Sequence, residues 1–129
     1  MKQLVLVDDN PDQIELMVLA LQMRGIDRPV VTFESGTDCV GALQRGTVRP
    51  GLVVLDVNLP GLDGPGTAER IRRLPAMADV PIVMLSTSDQ AADMQRSRAS
   101  GADGYVLKPG RERGWAEVIV ELMRFWQEG

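Results

Sequence analysis

The run Leu52-Val53-Val54-Leu55 places four large aliphatic residues in a row with no polar residue between them. A strand with one face in water alternates apolar and polar residues, whereas a strand covered on both faces does not. A second run of four occupies residues 4–7, and a shorter apolar run occupies residues 105–107. Strands of this type are typical of a parallel sheet with helices on both sides, so the pattern favours an α/β fold.

Helical segments are predicted between these strands. Asn10 followed by Pro11 forms a helix start, with asparagine as the cap and proline in the first turn. We expect strands at 4–7, 29–33, 52–55, 81–85 and 104–107. We expect helices at 11–25, 35–46, 89–100 and 112–127, and a further helix that follows the loop 58–64 and ends at about residue 75. Right-handed crossovers then predict a doubly wound, three-layer sandwich, with strand order 2-1-3-4-5 and one domain over residues 1–129.

Composition excludes several classes of function. The sequence has no histidine, which removes imidazole metal ligands and histidine general bases. A net charge of -4 argues against binding nucleic acid by neutralising phosphates. The single Cys39 and the absence of a long apolar run lead us to expect a cytoplasmic protein with no membrane segment.

Charged residues follow three of the predicted strands. Asp8 and Asp9 follow the first strand, Asp56 follows the third and Lys108 follows the fifth. In the order 2-1-3-4-5 the ligand crevice opens between strands one and three, so the three carboxylates should converge there. Each carboxylate pair would repel by about 4 kcal/mol at 4 Å, and oxygen-only ligands favour a hard cation. The sequence therefore predicts a Mg²⁺ site.

This arrangement suits phosphoryl transfer to a carboxylate. An ionised Asp56 is already nucleophilic and needs no histidine base. Ser86, at the end of the fourth strand, is placed to donate its hydroxyl to one phosphoryl oxygen, and Lys108 to pair with another.

The chain resembles the receiver domains of two-component response regulators over essentially its whole length. The motifs that carry this resemblance are the pair Asp8-Asp9, Asp56 in Leu-Asp-Val-Asn-Leu-Pro-Gly-Leu-Asp-Gly, Ser86 after Ile-Val-Met-Leu, and Lys108-Pro109 after Gly-Tyr-Val-Leu. The resemblance implies a flavodoxin-like fold and a signalling protein that is not an enzyme. It also implies that Asp56 accepts phosphate from a sensor histidine kinase.

Further roles follow only from the resemblance. Asp8, Asp9 and Asp56 with the Asn58 carbonyl would hold Mg²⁺, Ser86 and Tyr105 would move on phosphorylation, and the Lys108–Pro109 peptide would be cis. We expect a stand-alone regulator, similar to receivers that partner phytochrome-like kinases, that signals through protein contacts. A histidine phosphotransfer protein is one expected partner, and a homodimer through the last two helices and the fifth strand is another.

A degenerate receiver that binds partners without phosphorylation is the main alternative. A phosphohydrolase would need a second acid where Asn58 stands, and a flavin-binding module would need a phosphate-cradling loop after the first strand.

Simpler structural roles also remain open for several of these residues. Ser86 and Thr87 are equally explained as caps of the helix near Asp89. Tyr105 is open to packing with its hydroxyl in water. We interpret Trp115 and three methionines as core residues: Met84, Met94 and Met123.

Overall fold

The computed structural model describes residues 1–128. Five strands alternate with five α-helices, and a short 3₁₀ turn lies at Pro75–Met77. The strands are β1 (Gln3–Val7), β2 (Val30–Phe33), β3 (Pro50–Asp56), β4 (Ile82–Ser86) and β5 (Gly104–Leu107). The helices are α1 (Pro11–Met23), α2 (Gly36–Arg45), α3 (Gly64–Arg72), α4 (Ala91–Ala99) and α5 (Trp115–Met123).

All strand pairings in the described sheet are parallel, and the strand order is β2-β1-β3-β4-β5. The predicted flavodoxin-like order is therefore confirmed. β3 lies at the centre with all seven of its residues buried, as its uninterrupted apolar run predicts. Because the strands are parallel, their carboxyl ends share one edge of the sheet.

The sheet separates two apolar layers. On one side, α2 and α3 pack over side chains that include Val53, Leu55 and Met84. On the other side, α1 and α5 pack over side chains that include Leu52, Val54 and Leu85. Successive residues of β3 therefore point into opposite layers, and both layers hold the sheet edge in place.

The last helix is shorter than the predicted 112–127. It begins after Gly114, whose N–H donates to the Glu117 carboxylate at 3.0 Å. It ends at Met123 because the chain then turns back to the sheet, where the Gln127 N–H donates to the Gly51 carbonyl at 3.0 Å. Gly51 permits this approach, since a Cβ there would lie 2.8 Å from the Trp126 ring.

The prediction that Trp115 and three methionines are core residues is confirmed only in part. Met84 is fully buried and Met123 is half-buried, whereas Met94 is 38% exposed on α4, so its core assignment is wrong. Trp115 is half-buried against the α1 and α5 layer. No helix in the part of the chain that the structure describes is long and apolar enough to span a membrane.

Candidate phosphoacceptor site

Polar residues lie at the carboxyl ends of four strands, which share one edge of the sheet. Asp8 follows β1, Asp56 and Ser86 are the last residues of β3 and β4, and Lys108 follows β5. The Lys108 N–H still donates to the Ser86 carbonyl at 2.8 Å, which continues the β4 and β5 ladder to this residue. The sheet register therefore fixes where each of these side chains starts.

Three carboxylates meet at this edge. Asp8, Asp9 and Asp56 each offer an oxygen, and these oxygens all lie within 4.8 Å of one another. The Asp8 and Asp56 side chains are buried, at 3% and 5% exposure, while Asp9 is open to solvent. The cluster is thus a half-covered acidic pocket with one side accessible to solutes.

Asp8 accepts hydrogen bonds on both of its carboxylate oxygens. The Asn10 N–H donates to Oδ1 at 2.9 Å, and the Gln13 side-chain amide donates to Oδ2. Burial raises the pKa of Asp8, and the nearby Asp56 charge raises it further, against the lowering effect of the Asn10 hydrogen bond. The charged form of Asp8 is therefore stabilised by its hydrogen-bond donors, and a cation bound nearby would stabilise it further.

Asp56 is held between a cation and a backbone donor. Lys108 Nζ lies 2.9 Å from Oδ2, and the Asn58 N–H donates to Oδ1 at 3.0 Å. The Lys108 side chain is itself only 14% exposed. An ion pair this enclosed is screened weakly by solvent, so it fixes the orientation of the Asp56 carboxylate.

The residues present fit a divalent cation. Three carboxylates face one lysine at this edge, which leaves a net charge of about -2 if all are ionised. The donors are all oxygens, the set that Mg²⁺ and Mn²⁺ accept. Asn58 is adjacent and exposed, and its role as a carbonyl ligand stays a prediction.

The sequence family described as the response regulator receiver domain matches residues 4–119. The chain belongs to this family. The RcpA phytochrome response regulator of a cyanobacterium, solved in its phosphorylated form, covers 97% of the receiver with a TM-score of 0.83 at 30% identity. The Mn²⁺-bound response regulator Rcp1 covers 99% with a TM-score of 0.84 at 26% identity.

A curated relative extends beyond the receiver. The DNA-binding response regulator MtrA of Mycolicibacterium smegmatis is 36% identical over 124 residues, which is 95% of this chain and 51% of MtrA. The chain therefore spans about half the length of this relative. In contrast, it covers 93% of the solved RcpA chain and 98% of the chemotaxis regulator CheY4 of Vibrio cholerae.

Ser86 does not cap a helix in the receiver. α4 begins only at Ala91, and its first cap residue, Gln90, makes no side-chain capping bond. The Ser86 hydroxyl, 2% exposed, instead accepts the Ser88 N–H at 3.0 Å. The capping alternative is wrong for Ser86, and its hydroxyl hydrogen stays available for an acceptor in the pocket.

Tyr105 makes a hydrogen bond within the receiver. Its hydroxyl donates to the Ser88 carbonyl at 2.6 Å, and its ring is half-buried beside the α2 and α3 layer. Ser86 and Tyr105 therefore both contact Ser88, in the loop between β4 and α4. This loop joins the acidic pocket to the β5 surface.

The expected cis peptide at Lys108–Pro109 is not present, since this bond is trans. Trans is the lower-energy form of an X-Pro amide by about 0.5–1 kcal/mol. The Lys108 side chain reaches Asp56 from this backbone, so the ion pair does not require a cis bond.

Two features of the receiver site were missed at the sequence level. Gln13 contacts Asp8 from the first turn of α1, and because Asp8 precedes the helix, no helical spacing relates the two residues in the sequence. Asp63 caps α3 through the Gly66 N–H and also pairs with Arg96 at 2.5 Å. The cap was predictable from Asp63 preceding Gly64-Pro65, but the partner on α4 was not.

Proposed function

We propose that this receiver accepts a phosphoryl group on Asp56 from a sensor histidine kinase, in the presence of Mg²⁺. The observation that carries the proposal is the Asp56 carboxylate itself. It is 5% exposed, lies 2.9 Å from Lys108 and has Asp8 and Asp9 beside it. A buried carboxylate with a lysine on one side and an acidic pair on the other suits phosphoryl transfer.

The transfer is an in-line displacement at phosphorus. An Asp56 oxygen forms the new P–O bond, the P–N bond to the kinase histidine breaks, and its electron pair leaves with the imidazole. Lys108 and the Ser86 hydroxyl bind phosphoryl oxygens from the ends of β5 and β4. Asp8, Asp9, Asp56 and the Asn58 carbonyl would hold Mg²⁺, which would supply positive charge against the negative charge on the phosphoryl oxygens.

Phosphorylation changes the hydrogen bonds of the β4–α4 loop. Before phosphorylation, the Ser86 oxygen accepts the Ser88 N–H. To bind the phosphoryl group, Ser86 must turn its hydroxyl hydrogen toward that group. Tyr105 binds the carbonyl of the same Ser88. A shift of Ser88 therefore reaches Tyr105, and through it the surface formed by α4, β5 and α5. This surface is where we place the contact with a downstream protein, such as a histidine phosphotransfer protein or a second receiver.

The proposal of signalling through protein contacts is supported by the receiver fold that this chain shares with RcpA and CheY4. RcpA is a phytochrome response regulator, which makes a phytochrome-like kinase a candidate phosphodonor. A cytoplasmic location is part of the same proposal, since the phosphodonor and its Mg²⁺ must reach the pocket.

We infer that the kinase contacts the outer face of α1. Leu16, Leu19 and Met23 are 48%, 49% and 79% exposed, and they lie on one helix face at spacings of three and four. α1 starts directly beside the acidic pocket, so a kinase helix on this face brings its histidine near Asp56. Leu19→Glu should slow transfer from the kinase but not from acetyl phosphate. Met94→Glu, on α4, is the matched control.

Intact-mass measurement after incubation with acetyl phosphate tests the phosphoacceptor. We expect a Mg²⁺-dependent phosphoryl adduct on the unmodified chain and on the control variant Asp79→Asn. Asp79 is exposed and precedes β4, whereas the pocket lies at the carboxyl ends of the strands. Asp56→Asn should lose the adduct. Full labelling of Asp56→Asn would refute the assignment. If the unmodified chain gave no adduct and bound no fluoroberyllate, the chain would be a degenerate receiver that binds partners constitutively.

A further inference from the structure

Gln13 contacts the acidic pocket from the first turn of α1. Its side-chain amide donates to Asp8 Oδ2, the oxygen that the Asn10 N–H does not use. Gln13 is half-buried, and Asp8 is 3% exposed. The contact is thus enclosed, and a lost donor there would not be replaced freely by bulk water.

The start of α1 holds Gln13 in this position. The Asn10 side chain caps the helix by accepting the N–H groups of Asp12 at 3.0 Å and Gln13 at 3.4 Å. The same Asn10 donates its own N–H to Asp8 Oδ1 at 2.9 Å. One cap residue therefore fixes both the backbone of Gln13 and the carboxylate that the Gln13 amide reaches.

The two hydrogen bonds leave room for a cation. A carboxylate has about four lone-pair positions, so two donors leave roughly two free. Because both oxygens accept hydrogen bonds, the Asp8 carboxylate cannot rotate freely about its side-chain bond. The free lone pairs then keep a constant direction relative to Asp9 and Asp56.

The charge of the donor also matters. Glutamine is neutral, so it orients Asp8 without cancelling the negative charge that attracts a cation. A lysine in its place would add a second positive charge to the one that Lys108 supplies beside Asp56.

We propose that Gln13 is a positioning residue for the divalent-cation site, acting through Asp8. This inference rests on the proposed Mg²⁺ site of the receiver. Residues that orient a metal ligand through a hydrogen bond typically change affinity by about 10–100-fold when they are removed. Gln13 belongs to that class, because it touches the ligand side chain and carries no charge of its own.

Mn²⁺ titration, followed through the electron spin resonance signal of the free ion, tests the proposal. Gln13→Met keeps the length of the side chain and removes the donor. We expect its Mn²⁺ affinity to fall at least about tenfold. Gln22→Met, exposed at the far end of the same helix, should bind as the unmodified protein does. We expect the metal-free Gln13→Met protein to unfold at a lower urea concentration, because a partly enclosed hydrogen bond is lost, and to remain folded without urea. A merely structural role would produce only this shift, with the Mn²⁺ affinity unchanged.

A double-mutant cycle with Asp8→Asn isolates the coupling. If Gln13 acts through Asp8, adding Gln13→Met to Asp8→Asn should change Mn²⁺ affinity by less than about twofold. An equal loss in both backgrounds, or an unchanged or tighter affinity in Gln13→Met alone, would overturn the inference. If the unmodified protein binds no Mn²⁺ or Mg²⁺, the proposed metal site fails and this inference fails with it.

Discussion

Arg96 on α4 donates to the Asp63 carboxylate at 2.5 Å, and Asp63 is the residue that caps the start of α3. The second carboxylate oxygen of Asp63 accepts the Gly66 N–H at 2.8 Å. The loop that leads from Asp56 to α3 is therefore tied to α4 through one carboxylate. Since α4 lies beside the β4–α4 loop, this ion pair connects both loops that border the acidic pocket.

The Asp63 ion pair predicts a pH-dependent contribution to stability. Burial alone would raise the pKa of Asp63, but the hydrogen bonds from Arg96 and Gly66 outweigh it and lower that pKa. A carboxyl with a lowered pKa stabilises the fold above its unfolded value of about 3.9 and loses that effect as pH falls through the folded value. Asp63→Asn keeps a good cap residue and removes the charge.

Urea unfolding of both proteins across pH measures this effect. The unmodified protein should be more stable than Asp63→Asn at pH 6, and the difference should shrink from about pH 5 downward. The stability difference between the unmodified protein and Arg96→Ala should also disappear at low pH. A stability difference that stays constant from pH 6 to pH 3 would contradict the role of the ion pair.

Ser97 gives a prediction about how α4 is held. Ser97 is 1% exposed and is the buried residue of α4, yet its hydroxyl has no hydrogen-bond partner within residues 1–128. A buried polar group without a partner destabilises a fold by about 1–3 kcal/mol. We expect Ser97→Ala to raise the free energy of unfolding by about 1 kcal/mol.

Ser100→Ala is the matched control for Ser97→Ala. Ser100 is also buried, but its hydroxyl donates to the Ser97 carbonyl. Its removal should lower the free energy of unfolding by about 1 kcal/mol. Urea titrations of the two variants should therefore move in opposite directions, and destabilisation by both would show that Ser97 has a partner in solution.

Strand ends were predictable from the sequence, because uninterrupted apolar runs identify buried parallel strands. That rule places Asp8, Asp56 and Lys108 at one edge of the sheet, and the predicted strand order is confirmed. The roles of these residues in phosphoryl transfer stay predictions. The contact of Gln13 with Asp8 was not predictable, because Asp8 precedes α1 and no helical spacing relates the two residues.

The α4 region was the least predictable part. Its sequence has no clear apolar stripe. The prediction that Met94 is a core residue is therefore wrong, and Ser97 is the residue that faces inward. The Arg96 contact with Asp63 joins residues 33 positions apart on two helices. Such a pair depends on how α3 and α4 pack, and no local pattern encodes that packing.

Cys39 predicts a difference in thiol reactivity between the folded and unfolded chain. The side chain is fully buried, and burial raises the pKa of the Cys39 thiol to about 12. Only the thiolate reacts readily, and its fraction at pH 8 is about 10⁻⁴ for such a pKa. Labelling with an aromatic disulfide reagent at pH 8 should be at least about 10³-fold slower than in urea. Equal rates would show that the α2 layer is open in solution.

Arg72, at the end of α3, binds the chain at several points. Its guanidinium donates to Asp103 at 2.7 Å, and Asp103 in turn accepts the Ile82 N–H at the start of β4 at 2.9 Å. It also donates to four backbone carbonyls, those of Met77, Ala78, Val80 and Gly101. The side chain is 20% exposed, so this set of bonds is partly shielded from water.

Arg72→Lys tests whether the geometry of the guanidinium matters more than its charge. Lysine keeps the positive charge but has a single nitrogen, which cannot reach acceptors spread over the 3₁₀ turn and the segments that lead into β4 and β5. We expect urea unfolding to show a loss of about 2 kcal/mol, the scale of one or two charged hydrogen bonds. Arg73→Lys, the exposed neighbour, should change stability by less than about 0.5 kcal/mol. Equal small changes in both variants would mean that charge alone accounts for the contribution of Arg72.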